Sequence, residues 1–330
     1  MLHSSSVENP PVPVMSDRVT PDMSVVVLTP DTFETIRKVM QHLQAQTVRD
    51  RLEIIIVAPS SDNLSPDEEE LQGFFRVRIV EVGEISSTAR SRAAGIRQAS
   101  ALVVAISEDH SLPEPDWAEA LIRAHERPWA AVGPHIVNAN PDSVISRATG
   151  LMAGRHVEHV RAGVVDDLPL RNSSYKRRLL LEYGPELDAL LEIETLLHWD
   201  LRARGYQLYL EPAARTHHQD FTQLVPFMRE QLHVGRVFAA TRARRWSPLR
   251  RATYTLGSPF IPILRFWRIL PNLHRPVRGN HSLPILLALV IAGLYVSAAG
   301  EMLGYASGVG KSSQRLCKVE FHRDRQEGRR

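Results

Sequence analysis

A short cluster of potential metal ligands lies in the middle of the chain, where an apolar segment ends. The segment 102–106 reads LVVAI, and it is followed by Ser107, Glu108, Asp109 and His110. Carboxylate oxygens and imidazole nitrogens are common ligands of divalent cations in proteins. The cluster therefore has the chemistry of a metal site. A polar turn that closes a strand has the same composition, so this segment alone leaves both interpretations open.

The apolar segment before the cluster predicts a buried parallel strand. In an open α/β sheet, ligands bind in the crevice beyond the carboxyl ends of the strands, so the cluster would lie where chemistry takes place. Pro113 and Pro115 end the extended segment, and Asp116 can cap a helix that begins near Trp117.

The N-terminal part of the chain predicts the sheet that holds this strand. Strands are expected at 24–28 and 52–58, with an amphipathic helix at 31–46 between them. A strand, a helix and a second apolar strand form a βαβ unit, which predicts a parallel sheet covered on both faces. The acidic segment 59–71 is expected to be a surface loop, and 77–82 another short strand.

A basic helix is predicted directly before the cluster. The segment 87–100 has Ala and Arg at helical spacing and carries Arg90, Arg92 and Arg97. Arginine near a helix terminus can bind a diphosphate. A solvated helix face explains the same residues, so both interpretations are kept.

The segments after the cluster differ in how clearly they predict structure. A strand is expected at 130–137, whereas 138–170 has no clean period and is expected to be an irregular, substrate-covering insertion. The segment 186–204 predicts one helix, and 206–218 predicts a strand. The polar residues of these last two elements that could do chemistry are Glu192, Glu194, Asp200, His217 and His218.

The composition is that of a globular protein. The chain has 330 residues, 43% of them hydrophobic and 23% charged, which excludes a disordered or fibrous protein. A mean hydropathy of -0.19 excludes a chain that is mostly embedded in a membrane. Cys317 is the single cysteine, which excludes a disulfide framework and fits a reducing compartment.

Taken together, these segments resemble the family 2 glycosyltransferases, which are inverting sugar transferases of the GT-A fold. The resemblance covers about 23–218, and SEDHSLPEPDW resembles the DXD strand end of the family with EDH in place of DXD. The other matching segments are SVVVLTPDTF, LEIIIVAPSSD, RAAG, RNSSYKRR and LEIETLLHWDLRARGYQLYLEPAARTHH. The resemblance implies an α/β fold with a Rossmann-like, mainly parallel sheet flanked by helices.

The resemblance also implies a nucleotide-sugar donor and a divalent cation, Mn2+ or Mg2+, that neutralises the departing diphosphate. Glu108, Asp109 and His110 occupy the DXD positions, and Asp109 is expected to be the main direct ligand. Histidine in the third place suits Mn2+ better than Mg2+. His218 would complete the metal or diphosphate shell, with His217 as its rival.

Inversion by a single displacement needs a general base, which removes the proton of the acceptor hydroxyl. The matching acidic position is Glu194, and Glu192 is the second candidate. The residues that the resemblance places at the nucleotide sugar are Thr29, Pro30, Arg92, Glu108, Asn172 and Tyr175. Tyr175 could instead be a core residue, and Asp200 a surface residue.

The chain departs from the family pattern at two places. Ala58 and Pro59 stand where the family usually has an aspartate that contacts uracil, so a UDP donor is not implied. The EDH sequence leaves open a degenerate GT-A domain that binds a sugar nucleotide or glycan without catalysis. A nucleotidyltransferase is disfavoured, because 28–33 reads LTPDTF and lacks the Gly-rich, Lys-bearing phosphate loop.

The C-terminal third predicts contact with a membrane. The segment 241–251 is the most basic in the chain, and 283–300 is apolar over close to the length that crosses a bilayer. Basic residues beside apolar helices are typical of the cytoplasmic membrane face, and no nucleic-acid module accompanies them. We expect a membrane surface as partner through 241–300. Peripheral, re-entrant and single-pass attachment stay open, and a buried core helix is the alternative.

These observations predict a division of the chain into four parts. Residues 1–22 are expected to be a disordered leader without a signal peptide, and 23–220 a GT-A domain. A helical, basic and apolar membrane-associating region would follow at 221–310, and a basic tail at 311–330. The predicted acceptor is a lipid-linked or envelope glycan at the cytoplasmic face of the membrane.

Overall fold

The computed structural model describes residues 19–154, 160–273 and 283–321. In this part of the chain one mixed sheet of 9 strands forms the centre of the fold, in the order β3-β2-β1-β4-β8-β6-β9-β5, with β7 paired to β9. The strands are β1 Met23–Leu28, β2 Leu52–Ala58, β3 Arg76–Glu81, β4 Val103–Ser107, β5 Ser111–Pro113, β6 Ala131–Asn138, β7 Gly163–Val165, β8 Ser174–Lys176 and β9 Leu208–His218.

The first half of the sheet is parallel and carries the start of the candidate site. β3, β2, β1 and β4 pair in parallel, and every residue of β1, β2 and β4 is buried. Continuous apolar strands of this kind need cover on both faces, which the flanking helices give. The predicted α/β class is confirmed, and the carboxyl end of β4 lies directly before Glu108.

The second half of the sheet brings a distant strand to the end of β4. β8 is antiparallel to both β4 and β6, and β9 is parallel to β6. The end of β9 also pairs antiparallel with β5, with His218 opposite Ser111. This pairing places His218 beside the turn that contains His110.

Helices cover the sheet, and their positions agree with the sequence patterns except in three places. The segment 186–204 is two helices rather than one, since Ile193 has the extended φ of -140° that caps a new helix. The segment 138–170 contains α5 (Val144–Met152) and β7 and is not wholly irregular, and the loop 59–71 contains α2 (Glu68–Leu71). The helices are α1 Phe33–Gln44, α2 Glu68–Leu71, α3 Thr88–Gln98, α4 Trp117–Ala124, α5 Val144–Met152, α6 Arg177–Leu181, α7 Leu187–Leu190 and α8 Glu194–Ala203.

The C-terminal third is helical in its described residues. The helix α12 (Leu283–Ser307) packs along α9 (Leu224–Arg242), because Gly300 lets it approach the carbonyl oxygen of Leu232, and Gly235 of α9 likewise faces the backbone of Ser297. The helix runs past the predicted end at residue 300 to Ser307. The helices are α9 Leu224–Arg242, α10 Pro248–Gly257, α11 Ile261–Leu273, α12 Leu283–Ser307 and α13 Ser312–Glu320, with short 3-10 turns at Arg49–Arg51, Ser61–Asn63, Gly184–Glu186 and Ser258–Phe260.

α12 is the one helix in the described part of the chain that is long and apolar enough to cross a membrane, by length and composition. In its most apolar window, 39% is buried inside the protein. The core helix of a soluble protein would meet the same criteria. Its buried Glu301 pairs with Arg265 of α11, with 2.7 Å between Oε1 and Nη2.

The two ends of the chain fall partly outside the described residues. The predicted leader does so up to residue 18, and the predicted basic tail does so from residue 322. The described part of that tail is α13, which packs against the sheet domain. The thiol of Cys317 donates to the carbonyl oxygen of Ile85 at 3.4 Å, and Phe321 is buried in the same core as α3.

The contact between α9 and α12 predicts a stability effect. A Cβ at Gly300 would overlap with the backbone of Leu232, so we expect Gly300→Ala to lower the free energy of unfolding by about 1–3 kcal/mol. Urea unfolding measures this change. A matched control is Gly257→Ala, where a Cβ would meet nothing within 4 Å. An equal effect of both substitutions would contradict the packing argument.

Candidate active site

The end of β4 and the end of β9 bring together a carboxylate and two imidazoles. Nε2 of His218 lies 3.2 Å from Oε2 of Glu108, and Nε2 of His110 lies 3.7 Å from the same oxygen. One ligand atom from each of these three residues lies within 4.8 Å of the others, and all three residues are buried. The strand ends thus converge on a volume the size of a metal site, as expected for the carboxyl edge of an α/β sheet.

Further carboxylates orient the two imidazoles. Nδ1 of His110 lies 2.6 Å from Oδ1 of Asp109, and Nδ1 of His218 lies 3.2 Å from Oδ1 of Asp220. Metal-binding histidines commonly use the second ring nitrogen in this way, which fixes the ring and raises its basicity. The sequence predicted Asp109 as the main direct ligand. The structure places it behind His110 instead, outside the three-residue group.

The rival histidine has another environment. Nε2 of His217 lies 2.8 Å from Oε1 of Glu114, on the opposite side of β9 from His218. Side chains alternate between the two faces of a strand, so neighbouring histidines cannot both face the site. The structure therefore brings His218, and not His217, to Glu108.

The donor set fits a transition-metal ion. Imidazole nitrogens suit first-row transition metals, and a carboxylate oxygen is acceptable to them and to Mn2+. Mg2+ prefers an all-oxygen shell, so two imidazoles and one carboxylate fit Mn2+ better than Mg2+. Glu108, His110 and His218 are the residues that would hold such an ion.

Glu108 is held as an anion although it is buried. Burial alone would raise the pKa of its carboxyl, but His110, His218 and Arg171 together keep that pKa well below its usual range. The amide of Asn172 donates to Oε2 at 3.0 Å. The guanidinium groups of Arg171 and Arg92 lie 3.7 and 3.8 Å from Oε1. A permanent negative charge at this point suits the binding of a cation.

Glu194, the predicted base, begins α8 and is buried. Its Oε2 accepts hydrogen bonds from the backbone N–H of Arg171 at 2.8 Å and from the Tyr175 hydroxyl at 3.1 Å. Its Oε1 is buried without a hydrogen-bond partner among the described residues. The N-terminus of a helix stabilises a carboxylate, and the open Oε1 can accept a further proton or hydrogen bond.

Tyr175 lies in the core beneath Glu194. Burial and the neighbouring Glu194 raise the pKa of its hydroxyl well above the usual value, so the hydroxyl stays protonated and donates to Glu194. Nε2 of His198 lies 2.9 Å from the same hydroxyl, and Nδ1 of His198 contacts Asp167. Tyr175 was predicted to line the nucleotide-sugar site, and here it is fully buried and orients Glu194.

Glu192, the second candidate base, contacts the N-terminus of α3. Its Oε1 accepts a hydrogen bond from the Ser87 hydroxyl at 2.8 Å, and Ser87 caps the first turn of α3. Glu192 is half-buried, whereas Glu194 is fully buried. Glu192 lies between α7 and α8, whereas Glu194 is the first residue of α8, and the two carboxylates have different partners.

The residues predicted at the nucleotide lie at the strand ends. Arg92 is buried, and its Nε has no hydrogen-bond partner among the described residues, although the other side of its guanidinium faces Glu108. The Thr29 hydroxyl donates to the carbonyl oxygen of Thr32 at 2.6 Å, which closes the turn after β1. Pro30 is half-buried in that turn, and Asn172 contacts Glu108.

A small cavity of about 10 Å³ lies beside the carboxyl end of β4. Its walls include Arg92, Glu108 and His110, together with Glu320 and Phe321 at the end of α13. Such a volume holds about one water molecule.

Sequence reasoning missed three charged residues of the site. Arg171 adopts φ 64°, the left-handed conformation, which aims its N–H at Glu194 while its side chain pairs with Glu320. Asp220 follows His218 by two positions, a spacing that could have drawn attention to it. Nothing in the sequence marks Glu320, because its place in the site results from the packing of α13.

Residues 24–184 match the model of a known family, described as glycosyl transferase family 2. This match includes Glu108 and His110 and ends before Glu194 and His218. The mixed sheet with flanking helices is GT-A-like, as the sequence predicted.

A crystal structure of GalNAc-T7 with UDP, GalNAc and Mn2+ is similar to this chain, with a TM-score of 0.43 and 13% sequence identity. The similarity covers 62% of this chain and 44% of that one, so less than half of GalNAc-T7 is matched. No curated protein matches the chain.

Proposed function

We propose that this chain is a glycosyltransferase that moves a sugar from a nucleotide-sugar donor to an acceptor hydroxyl, with inversion at the anomeric carbon. The observation that carries the proposal is the group of Glu108, His110 and His218 at the strand ends, since the segment matching glycosyl transferase family 2 leads into it. Glu194 adds a buried carboxylate with one open oxygen near the same strand ends.

Each residue has a role in one displacement step. A bound Mn2+ would neutralise charge on the departing diphosphate. Arg92 offers its open Nε to the phosphates, and Glu194 accepts the proton of the acceptor hydroxyl. The acceptor oxygen then bonds to the anomeric carbon as the bond from that carbon to the diphosphate oxygen breaks. The products are the glycosylated acceptor and a nucleoside diphosphate.

The test is nucleotide-sugar turnover by the purified protein. A panel of donors that differ in base and sugar is incubated with Mn2+, and release of the nucleoside diphosphate is measured with and without membrane lipid extract as acceptor. Release above that of Glu194→Gln supports the proposal. Binding of a donor without turnover would favour the alternative, a degenerate domain that binds a sugar nucleotide or glycan.

We also propose that the acceptor is lipid-linked and that the protein works at the cytoplasmic face of a membrane. The helices α10 and α11 support this, because they expose large apolar side chains next to exposed arginines. Trp267 is 66% and Leu264 67% exposed. The other apolar residues are Leu249, Leu256, Phe260 and Ile263, and the exposed arginines are Arg244, Arg245, Arg250 and Arg268. Such a face suits the interface of an anionic bilayer.

This surface predicts the effect of one substitution on vesicle binding. We expect Trp267→Ser to weaken binding to vesicles with anionic phosphatidylglycerol roughly tenfold or more, because a large apolar side chain leaves the interface. Co-sedimentation measures the binding. The matched control is Leu102→Ser, an 85% exposed apolar residue directly before β4. Equal losses in the two variants would contradict the proposed surface.

A further inference from the structure

The C-terminal end of α13 forms one wall of the candidate active site. The other residues of that site come from earlier parts of the chain. Glu320 and Phe321 line the small cavity together with Arg92, Glu108 and His110. Both are buried, at 3% and 6% exposure. The helix thus closes the volume that lies against the strand ends.

Arg171 connects this helix to the site. Its side chain forms an ion pair with Glu320 and lies 3.7 Å from Oε1 of Glu108. The neighbouring Arg92 also faces Glu108 and has an open Nε. Two guanidinium groups are therefore held around one carboxylate of the sheet domain, and Glu320 supplies the second negative charge from α13.

We propose that Arg171 binds the diphosphate of the donor and that Glu320 occupies its guanidinium in the closed state, so that α13 is an autoinhibitory plug of the active site. A diphosphate can replace the carboxylate of Glu320 on Arg171, because the arginine guanidinium binds phosphate and carboxylate oxygens in the same paired geometry. The proposal rests on the proposed function, which supplies the diphosphate.

The volume of the cavity also supports the proposal that α13 closes the active site. With α13 in place, the cavity between Arg92, Glu108 and Glu320 has room for about one water molecule, so a diphosphate needs a movement of its walls to enter there. Every residue of β1, β2 and β4 is buried inside the sheet, whereas α13 is a helix of 9 residues that contacts the same core through Cys317 and pairs with Arg171 through Glu320. Movement of α13 is therefore the simplest way to open the site.

Cys317 gives a direct readout of that movement. It is the single cysteine of the chain, and it lies on the face of α13 that is buried against the sheet domain, at 4% exposure. Burial raises the pKa of its thiol to about 12, so reaction with a thiol reagent is slow in the closed state. Displacement of α13 exposes the thiol and returns the pKa toward its usual value.

The experiment compares the labelling rate of Cys317 by a disulfide reagent in the full chain. We expect Glu320→Gln to react at least tenfold faster than the wild type, because the charge pair to Arg171 is lost. Phe321→Ala should also raise the labelling rate of Cys317, and it does so without changing a charge. Lys318→Ala, an exposed residue of the same helix, is the matched control and should react like the wild type. Melting temperatures distinguish local opening from unfolding.

Nucleotide addition separates this proposal from the proposed function. UDP and GDP, each with Mn2+, should raise the wild-type labelling rate, and both should bind more tightly to Glu320→Gln than to the wild type. Faster labelling of Glu320→Gln without binding of either nucleotide would support the plug and contradict the diphosphate role of Arg171. Unchanged labelling in both Glu320→Gln and Phe321→Ala would overturn the plug, whatever the activity of the enzyme.

Discussion

Glu194→Gln is expected to lower the rate of sugar transfer roughly 100- to 10,000-fold, which is the usual contribution of a general base. The amide oxygen of glutamine can still accept from the N–H of Arg171 and the hydroxyl of Tyr175, so the fold is retained. What is lost is the basicity of the carboxylate. The measurement is the initial rate of nucleoside diphosphate release at a saturating concentration of donor.

Two other substitutions of carboxylates in and before α8 serve as controls for Glu194→Gln. Asp200→Asn removes a carboxylate from the exposed side of α8, where Asp200 accepts from the Tyr183 hydroxyl at 2.6 Å, and it should leave the rate unchanged. Glu192→Gln should reduce the rate only a few-fold, because Glu192 contacts the cap of α3. A larger loss in Glu192→Gln than in Glu194→Gln would assign the base to Glu192 instead.

Donor binding separates a catalytic role of Glu194 from a structural one. We expect Glu194→Gln to bind donor as tightly as the wild type and to change the free energy of unfolding by no more than about 1 kcal/mol. A rate loss together with weaker donor binding and lower stability would mean that Glu194 mainly orders the segment around Arg171. The open Oε1 of Glu194 favours the catalytic role.

The parallel half of the fold was predictable because its strands have simple patterns. Short, mostly apolar runs such as 52–58 are typical of buried strands covered by helices, and the structure has β2 at the same residues. The same logic placed Glu108 at a strand end. The break at Ile193 was not predictable, because the leucines on both sides of it continue the helical spacing of 186–204.

The site was only partly predictable, because it depends on how the strands pair and on which side chains of each strand face the site. Sequence spacing named Glu108, Asp109, His110 and His218, but it could not show that the carboxylate of Asp109 contacts the ring of His110. This contact results from the turn after β4, which places the carboxylate of Asp109 at Nδ1 of His110. Arg171 and Glu320 meet through tertiary packing between the sheet domain and α13, and no local pattern records such a contact.

Mn2+ is expected to raise the unfolding free energy of the wild type by about 2.7 kcal/mol at a concentration 100 times its Kd, because the ion binds the folded protein alone. His110→Ala should abolish this effect, since a direct ligand is lost. Mg2+ should stabilise less than Mn2+ because two of the donors are imidazoles. Thermal unfolding with and without a chelator measures each effect, and it requires no substrate.

Asp109→Ala decides between the two roles that sequence and structure give to this residue. If Asp109 only orients His110, Mn2+ affinity should fall about 10- to 100-fold, the usual effect of losing such a carboxylate. If Asp109 is the direct ligand that the sequence predicted, the loss should equal that of His110→Ala. Glu114→Gln, which removes the partner of His217 instead, should leave Mn2+ affinity unchanged. A partial loss in Asp109→Ala beside a complete loss in His110→Ala would therefore assign the metal to the imidazoles.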